Sequence, residues 1–303
     1  MAPTFDAVVV GAGPAGLSAA LWLSRYRCRV AMVDSGEYRN RWTQASHGYL
    51  GADPDTPTGL RERALADLER YGTATRVDGR AVDARGTAGD FAVVLDGGDE
   101  LRARRLVLAT GVRDVFPDVP RFFDHYGTRI FHCPSCDGYE AKDQPVVAFG
   151  WSAEVAGFAR GLLQWASSVT VVTDGRRFEG DERHRSALTD DGVDVLTDDV
   201  VELCGDPGEL CAVRLRDGGV VPCSYAFFSI AHKPRNELAT ALGCSVADEE
   251  GCVAVDEDGA TTVAGVYAAG DLTRGMQYVQ VAAAKGAVAG TNCALSLRGP
   301  DAD

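Results

Sequence analysis

Asp6-Ala7-Val8-Val9-Val10-Gly11-Ala12-Gly13-Pro14-Ala15-Gly16 is the stretch on which the reading of this chain turns. A short apolar run with a strand's composition meets glycines spaced G-x-G-x-x-G, and Leu17 to Ser24 continues as an apolar, Ala-rich helix. Arg29-Val30-Ala31-Met32-Val33 is then a second strand, closed by Asp34. Strand, glycine turn, helix, strand and acid in that order make a dinucleotide-binding unit. Gly11 makes the tight turn, Gly13 lets the backbone approach a pyrophosphate, and Gly16 lets the helix pack on the sheet. The helix N-terminus faces the phosphates with free N–H groups. Asp34 is placed to accept from ribose hydroxyls. The fold class is therefore α/β.

Working outward, Ser35 to Asn40 is a polar turn, and Ser46-His47-Gly48-Tyr49-Leu50-Gly51 leads into a Pro/Asp/Thr-rich loop at Asp53 to Thr58. An amphipathic helix follows over Gly59 to Tyr71. Thr73 to Leu101 alternates, with turn signals at Gly86, Gly89 and Gly97-Gly98, and reads as a small antiparallel sheet. Arg105 to Gly111 is a buried strand ending in a glycine turn, and Val115 to Pro120 is a linker at a domain boundary.

The chain then repeats its first unit. Pro145-Val146-Val147-Ala148-Phe149-Gly150 is a strand, the turn is Gly150-Trp151-Ser152-Ala153-Glu154-Val155, a helix runs to about Trp165, and Ser168 to Val172 is the next strand. Ser152 stands where the second glycine belongs and Val155 where the third belongs. A side chain at the second position, next to a bulky Trp151, weakens binding of a nicotinamide dinucleotide. Arg176 and Arg177, which a 2′-phosphate would need directly after the strand, arrive three residues late. Val193 to Val221 reads as further short strands and Ala226 to Pro234 as an apolar strand of the return crossing. Gly265-Val266-Tyr267-Ala268-Ala269-Gly270-Asp271 is a last strand ending in Gly-Asp, before an Ala-rich helix over Met276 to Leu297. An aspartate at that turn can bond a flavin's ribityl chain, cap a helix, or do both.

Between the two units lies Phe131-His132-Cys133-Pro134-Ser135-Cys136-Asp137-Gly138-Tyr139. Two cysteines three apart can close a disulfide within one turn. Pro134 suits a first helical position, with Cys133 as the cap. Free N–H groups there favour a thiolate, which points to Cys133 as the more exposed and more reactive sulfur. Asp137 follows at once and can carry the proton that thiol–disulfide exchange must move. A buried pair or half a zinc site is the competing reading, but no second C-x-x-C or close histidine pair accompanies it. Cys28, Cys204, Cys211, Cys223, Cys244, Cys252 and Cys293 have no ligand spacing and read as structural thiols.

The length of 303 residues suggests two domains, and 46% hydrophobic residues suffice for a substantial core. A formal net charge of −14 argues against nucleic acid and against anionic membrane surfaces. Met1 to Asp6 leads directly into the first strand with no charged-then-apolar leader, and no apolar run approaches a membrane span. The expectation is a cytoplasmic, soluble protein with no nucleic-acid or membrane partner.

Together, Gly11-Ala12-Gly13-Pro14-Ala15-Gly16, Leu108-Ala109-Thr110-Gly111, Cys133-Pro134-Ser135-Cys136-Asp137-Gly138 and Gly265-Val266-Tyr267-Ala268-Ala269-Gly270-Asp271 resemble the low-molecular-weight thioredoxin reductase family of flavoproteins. That resemblance covers almost the whole chain. It implies two Rossmann-like, three-layer ββα domains: an FAD-binding domain from residues 1–115 and 236–303, and an NAD(P)H-type domain, 116–235, carrying the dithiol. It implies that FAD is held by Gly11, Gly13, Pro14, Ala15 and Gly16 at the first turn and by Asp34, Ser35, Arg39, Asn40 and His47 beyond it. Ala109, Thr110 and Gly111 join from the middle of the chain, and Gly270, Asp271, Gln277 and Gln280 from its end. His47 is either a hydrogen-bonding structural residue or a catalyst. Cys136 would be the flavin-proximal sulfur, Cys133 the interchange thiol and Asp137 the proton carrier. A homodimer is the family's usual state.

The altered second turn and the sets Asp34 to Asn40, His47 to Gly51 and Cys136 to Glu140 look more like a branch of dithiol oxidases. Those enzymes close the disulfides of natural products such as gliotoxin and holomycin, pass electrons to FAD and reoxidise it with O₂, giving H₂O₂. Some of that branch carry a histidine after the second cysteine; this chain keeps the reductases' Asp137. Three readings follow. One is an oxidase of a small-molecule dithiol with O₂ as acceptor. The second is an NADPH-dependent reductase of thioredoxin or a low-molecular-weight disulfide, for which NADPH binding stays open. The third is a non-catalytic flavin redox sensor.

Overall fold

A computed structural model describes residues 5–298, so the reading of the first four residues as a leaderless start lies outside the described chain. It contains two compact units. The first comprises the chain up to Arg41, Asp55–Arg113 and everything from Lys233 on; the second comprises Trp42–Pro54 and Asp114–His232. The sequence places residues 42–54 with the first unit, but in the structure they pack with the second. The loop is held there by the Gln44 N–H, which donates to Gly127 O at 3.2 Å. A Cβ on Gly127 (φ +85°) would fall 2.0 Å from Trp42 O, so only glycine admits so close an approach.

The first unit is built on β1 (Phe5–Val10), α1 (Pro14–Arg25), β2 (Val30–Asp34), α2 (Pro57–Glu69), β3 (Ala74–Asp78), β4 (Ala81–Thr87), β5 (Asp90–Leu95) and β6 (Glu100–Leu108). The parallel core runs β3-β2-β1-β6. Ala7, Val8 and Val9 are wholly buried, as a central parallel strand covered on both faces must be. One edge of β6 pairs with β1 along its length. Its other edge is divided: Glu100 to Ala103 pair antiparallel with β5, and Leu106 to Leu108 pair parallel with the strand Val266–Ala268. This division corrects the sequence reading of Thr73 to Leu101 as one antiparallel sheet. β3 is a parallel edge strand of the main sheet, in register Val30↔Ala74 to Asp34↔Asp78; only β4, β5 and the start of β6 form the antiparallel layer. Alternation along a strand reports which side chains face the core and says nothing of strand direction. The C-terminal helix Val279–Leu295 lies against α1 through small residues. A Cβ on Gly286 would sit 2.0 Å from Ala15 O.

The second unit has a five-stranded parallel sheet, ordered Asp194–Leu196, Ser168–Val172, Pro145–Phe149, Tyr225–Phe228 and Ile130–Phe131. A three-stranded antiparallel sheet (Val200–Cys204, Ala212–Leu215, Val220–Pro222) adds to it. Both units are therefore Rossmann-like. The dithiol comes directly after the C-terminal end of the edge strand Ile130–Phe131, on the rim where open α/β sheets place their ligands.

Candidate active site

Cys133 and Cys136 are joined in a disulfide, with Cα atoms 5.2 Å apart. Cys133 is the N-cap and Pro134 the first residue of the helical turn Pro134–Asp137. The turn is a single one, so a Cys133 thiolate gains little from a helix dipole. Its support is local: the Cys136 N–H donates to Cys133 Sγ at 3.2 Å. Both cysteines are partly buried. Gly138 lets Trp165 close over the turn, since a Cβ there would lie 2.7 Å from the indole ring.

Asp137 is buried, at 8% exposure. Burial, with the negative charge of Glu140 adding to it, pushes its carboxyl up to about 7 from the ordinary 3.8. A carboxyl that titrates near neutrality can both take and return a proton. Glu140 has one oxygen, Oε2, shut from solvent without a hydrogen-bond partner, while Oε1 lies 3.4 Å from His47 Nε2. His47 Nδ1 lies 3.4 Å from Asp53 Oδ1. His47, read from the sequence as a neighbour of the cofactor, thus belongs to the dithiol's own unit and faces two carboxylates there. Sequence reasoning passed over Glu140; its spacing of three residues from Asp137 was the available signal.

In the first unit the residues expected around FAD converge on one end of the sheet. A Cβ on Gly11 would meet Ala109 O at 2.3 Å, and one on Gly16 would meet Gly11 O at 1.8 Å. Position 13 is different: no protein atom lies within 4 Å of a Cβ built there. α1 starts immediately after, at Pro14 and Ala15, and no side chain caps it. The 17-residue helix Val279–Leu295 is likewise uncapped by a side chain, with exposed Gln280 in its first turn. By contrast α2, which has no such role, is capped by Thr56. Two bare helix starts and an open glycine suit a pyrophosphate and the electron-rich edge of a flavin.

Asp34 is buried, and it is not free for ribose alone. Oδ1 accepts from the Gly36 N–H at 2.9 Å, whereas Oδ2 is taken by Arg61 and by Arg76. Lone-pair capacity for a hydroxyl therefore remains on Oδ1. Ser35 is exposed beside it. Arg39 gathers two distant positions: its Nη1 donates to Asp271 Oδ2 at 2.9 Å and to Gln277 Oε1 at 2.6 Å, with Asn40 next in the same short 3₁₀ turn. Asp271 does not cap a helix; it sits in the 3₁₀ turn Gly270–Leu272, tied to Arg39. Thr110 Oγ1 donates to Arg235 O at 2.7 Å, fixing the Ala109-Thr110-Gly111 turn, where Gly111 takes φ +68°. These residues fit FAD.

The pyridine nucleotide-disulphide oxidoreductase family matches residues 5–286. A thioredoxin reductase of Leptosphaeria maculans, sirT, is 30% identical over 98% of this chain and 95% of its own length. Thioredoxin reductase tcpT of Claviceps purpurea is 31% identical over 96% and 94%. The crystal structure of HlmI superposes with a TM-score of 0.89 at 37% identity, covering 96% of this chain and 92% of that one. A putative thioredoxin reductase from Bacillus anthracis gives 0.89 at 29%, covering 97% and 98%. The chain belongs to the pyridine nucleotide-disulphide oxidoreductase family. Within it, the chain is a thioredoxin reductase-like, FAD-dependent oxidoreductase. No helix among the described residues is long and apolar enough to cross a membrane.

Proposed function

We propose that this enzyme is a dithiol oxidase: it closes a disulfide in a small-molecule dithiol, through Cys133 and Cys136, with O₂ as the final acceptor. The observation that carries this reading is the second unit's nucleotide turn. Trp151 there lies under the Arg176 guanidinium, 4.0 Å from the ring centroid, and Val155 is wholly buried where a glycine would stand. An arginine stacked on an indole is engaged away from a 2′-phosphate, and the backbone next to Ser152 lacks the bare approach that a pyrophosphate needs. Loss of NADPH as reductant leaves the substrate dithiol as the electron source. The motif likeness to natural-product dithiol oxidases supports the same direction.

In the proposed reaction a substrate thiolate attacks Cys133 Sγ, forming a mixed disulfide and releasing Cys136 as a thiolate. The substrate's second thiol displaces Cys133, and the cyclic disulfide leaves. The enzyme now holds two thiols and the substrate has lost two electrons and two protons. Asp137 takes and returns protons at these sulfurs, and the Cys136 N–H steadies charge on Cys133. FAD held by the first unit would supply the two-electron acceptor that lets the Cys133–Cys136 disulfide close again, and would pass those electrons to O₂ as H₂O₂.

A second reading, an NADPH-dependent reductase acting on thioredoxin or a small disulfide, is favoured by the names of the relatives and by the exposed Arg177. Anaerobic mixing separates the two. The oxidase reading expects the visible flavin band to bleach with a dithiol and to persist with excess NADPH; rapid bleaching by NADPH would establish the reductase. Size-exclusion chromatography with light scattering checks the homodimer expected of the family.

A further inference from the structure

We propose that Glu140, His47 and Asp53 form a proton relay that connects buried Asp137, beside the dithiol, with solvent. The inference rests on the proposed dithiol chemistry at Cys133 and Cys136, whichever way the electrons run, because exchange at those sulfurs moves protons in both directions.

Asp137 has the chemistry of a proton carrier but not the access. It is 8% exposed, and the turn that bears it is closed over by Trp165. A proton accepted there must leave before the next thiol arrives. Glu140 is the charged group whose field reaches it. The two carboxyls are carried three residues apart on one turn of chain. Glu140 Oε2 is shut from solvent and has no hydrogen-bond partner of its own, which leaves it open to a donor. On the other side Glu140 Oε1 and Asp53 Oδ1 each lie 3.4 Å from a different nitrogen of His47. An imidazole between two carboxylates can take a proton on one nitrogen and release one from the other. Asp53, with a side chain 53% exposed, opens to water. All four residues belong to the same unit as the disulfide, so the path does not depend on the position of the other unit.

The transfer balances simply. A thiol at the dithiol loses its proton to the Asp137 carboxylate. That proton passes to Glu140, and His47 takes it on Nε2 while releasing one from Nδ1 toward Asp53 and solvent. Asp137 is again a carboxylate, no electrons have moved along the relay, and one proton has left per thiol consumed. Glu140 and His47 are positioning residues: they act through Asp137 rather than on the sulfurs.

The test uses the oxidised holoenzyme mixed anaerobically with excess dithiothreitol, with the flavin band followed across pH. His47→Ala is expected to bleach about tenfold more slowly near neutrality and to recover when imidazole is added. Glu140→Gln is expected to slow about as much, and to move the rise of rate with pH to lower pH, because the like charge beside Asp137 is gone. The double variant should be no slower than the slower single variant, as members of one path are not additive. His47→Gln, polar and similar in size but without a titrating proton, should behave as His47→Ala does without imidazole. Should the variants retain their flavin and match the wild type within about twofold, or imidazole restore nothing, the relay is wrong. A wild type that dithiothreitol does not reduce at all would instead overturn the dithiol chemistry itself.

Discussion

The two strand–turn–helix–strand units of this chain share an architecture and differ at the turn. In the first, helix α1 comes down on its own turn, so that a Cβ on Gly16 would strike Gly11 O at 1.8 Å. In the second, the Val155 side chain fills the corresponding space, 2.8 Å from where a Cβ on Gly150 would be. The first turn has open space at Gly13; the second carries the Trp151 indole with Arg176 stacked on it. Yet both parallel sheets are equally dry, with Val8 and Val9 in one and Val147 and Ala148 in the other wholly buried. A strand–turn–helix–strand unit therefore forms with or without glycine at the second and third turn positions. Glycine at the second position is what lets a phosphate reach the backbone, and the second unit fills that region with side chains instead.

The largest expected effect tests the first half of that contrast. Gly13 has φ −78° and ψ −177°, which alanine adopts without strain, and no protein atom stands in its way. Gly13→Ala should fold normally, with an unchanged far-UV spectrum, and bind flavin about a hundredfold more weakly, near 3 kcal/mol. Gly16→Ala should instead lower the stability of the protein itself. A yellow, fully loaded Gly13→Ala protein would show that the open space is not the cofactor's. Next in size is the opposite separation in the second unit. Cys133→Ser and Cys136→Ser should each abolish turnover while leaving the protein yellow; loss of colour in either would make the pair structural.

How far the sequence foretold all this depended on whether a feature is local. The first glycine turn, the Pro134 start of the dithiol turn and the two βαβ units are written in consecutive residues, and the structure has them within a few positions. The direction of β3 was not legible, because parallel and antiparallel strands share one side-chain period. Nor was the pairing of Arg39 with Asp271 and Gln277, more than 230 residues apart. The loop 42–54 lies next to first-unit residues in sequence, yet its anchor, Gly127, is far along the chain. With that loop goes His47, whose pairing with the distant Glu140 is likewise not local in the sequence.

A smaller effect concerns stability. Because the folded protein holds a proton on Asp137 up to about pH 7, whereas an unfolded chain releases it near the ordinary 3.8, stability falls as pH rises through that window. The burial penalty is complete above the folded value and absent below the unfolded one. Asp137→Asn removes the charge and keeps the shape, so it should stabilise the protein at pH 8 by a few kcal/mol and change little near pH 4. Urea unfolding at the two pH values measures it; an equal effect at both would mean Asp137 is ionised in the folded enzyme. The same variant should lose the neutral-pH limb of the turnover profile.

The smallest expected effect bears on the second turn, where the proposed function is most exposed. Trp151→Ala removes the platform under Arg176 and restores open space beside Ser152. Only part of a nucleotide site returns, because Ser152 and Val155 still occupy the second and third glycine positions. A cation–π contact of this kind is worth about 1 kcal/mol, so NADPH-driven bleaching of the flavin should rise about fivefold and stay far slower than bleaching by a dithiol. If the single change instead makes NADPH an efficient reductant, the turn was blocked by the tryptophan alone. The two units would then differ by one side chain rather than by the loss of a glycine backbone.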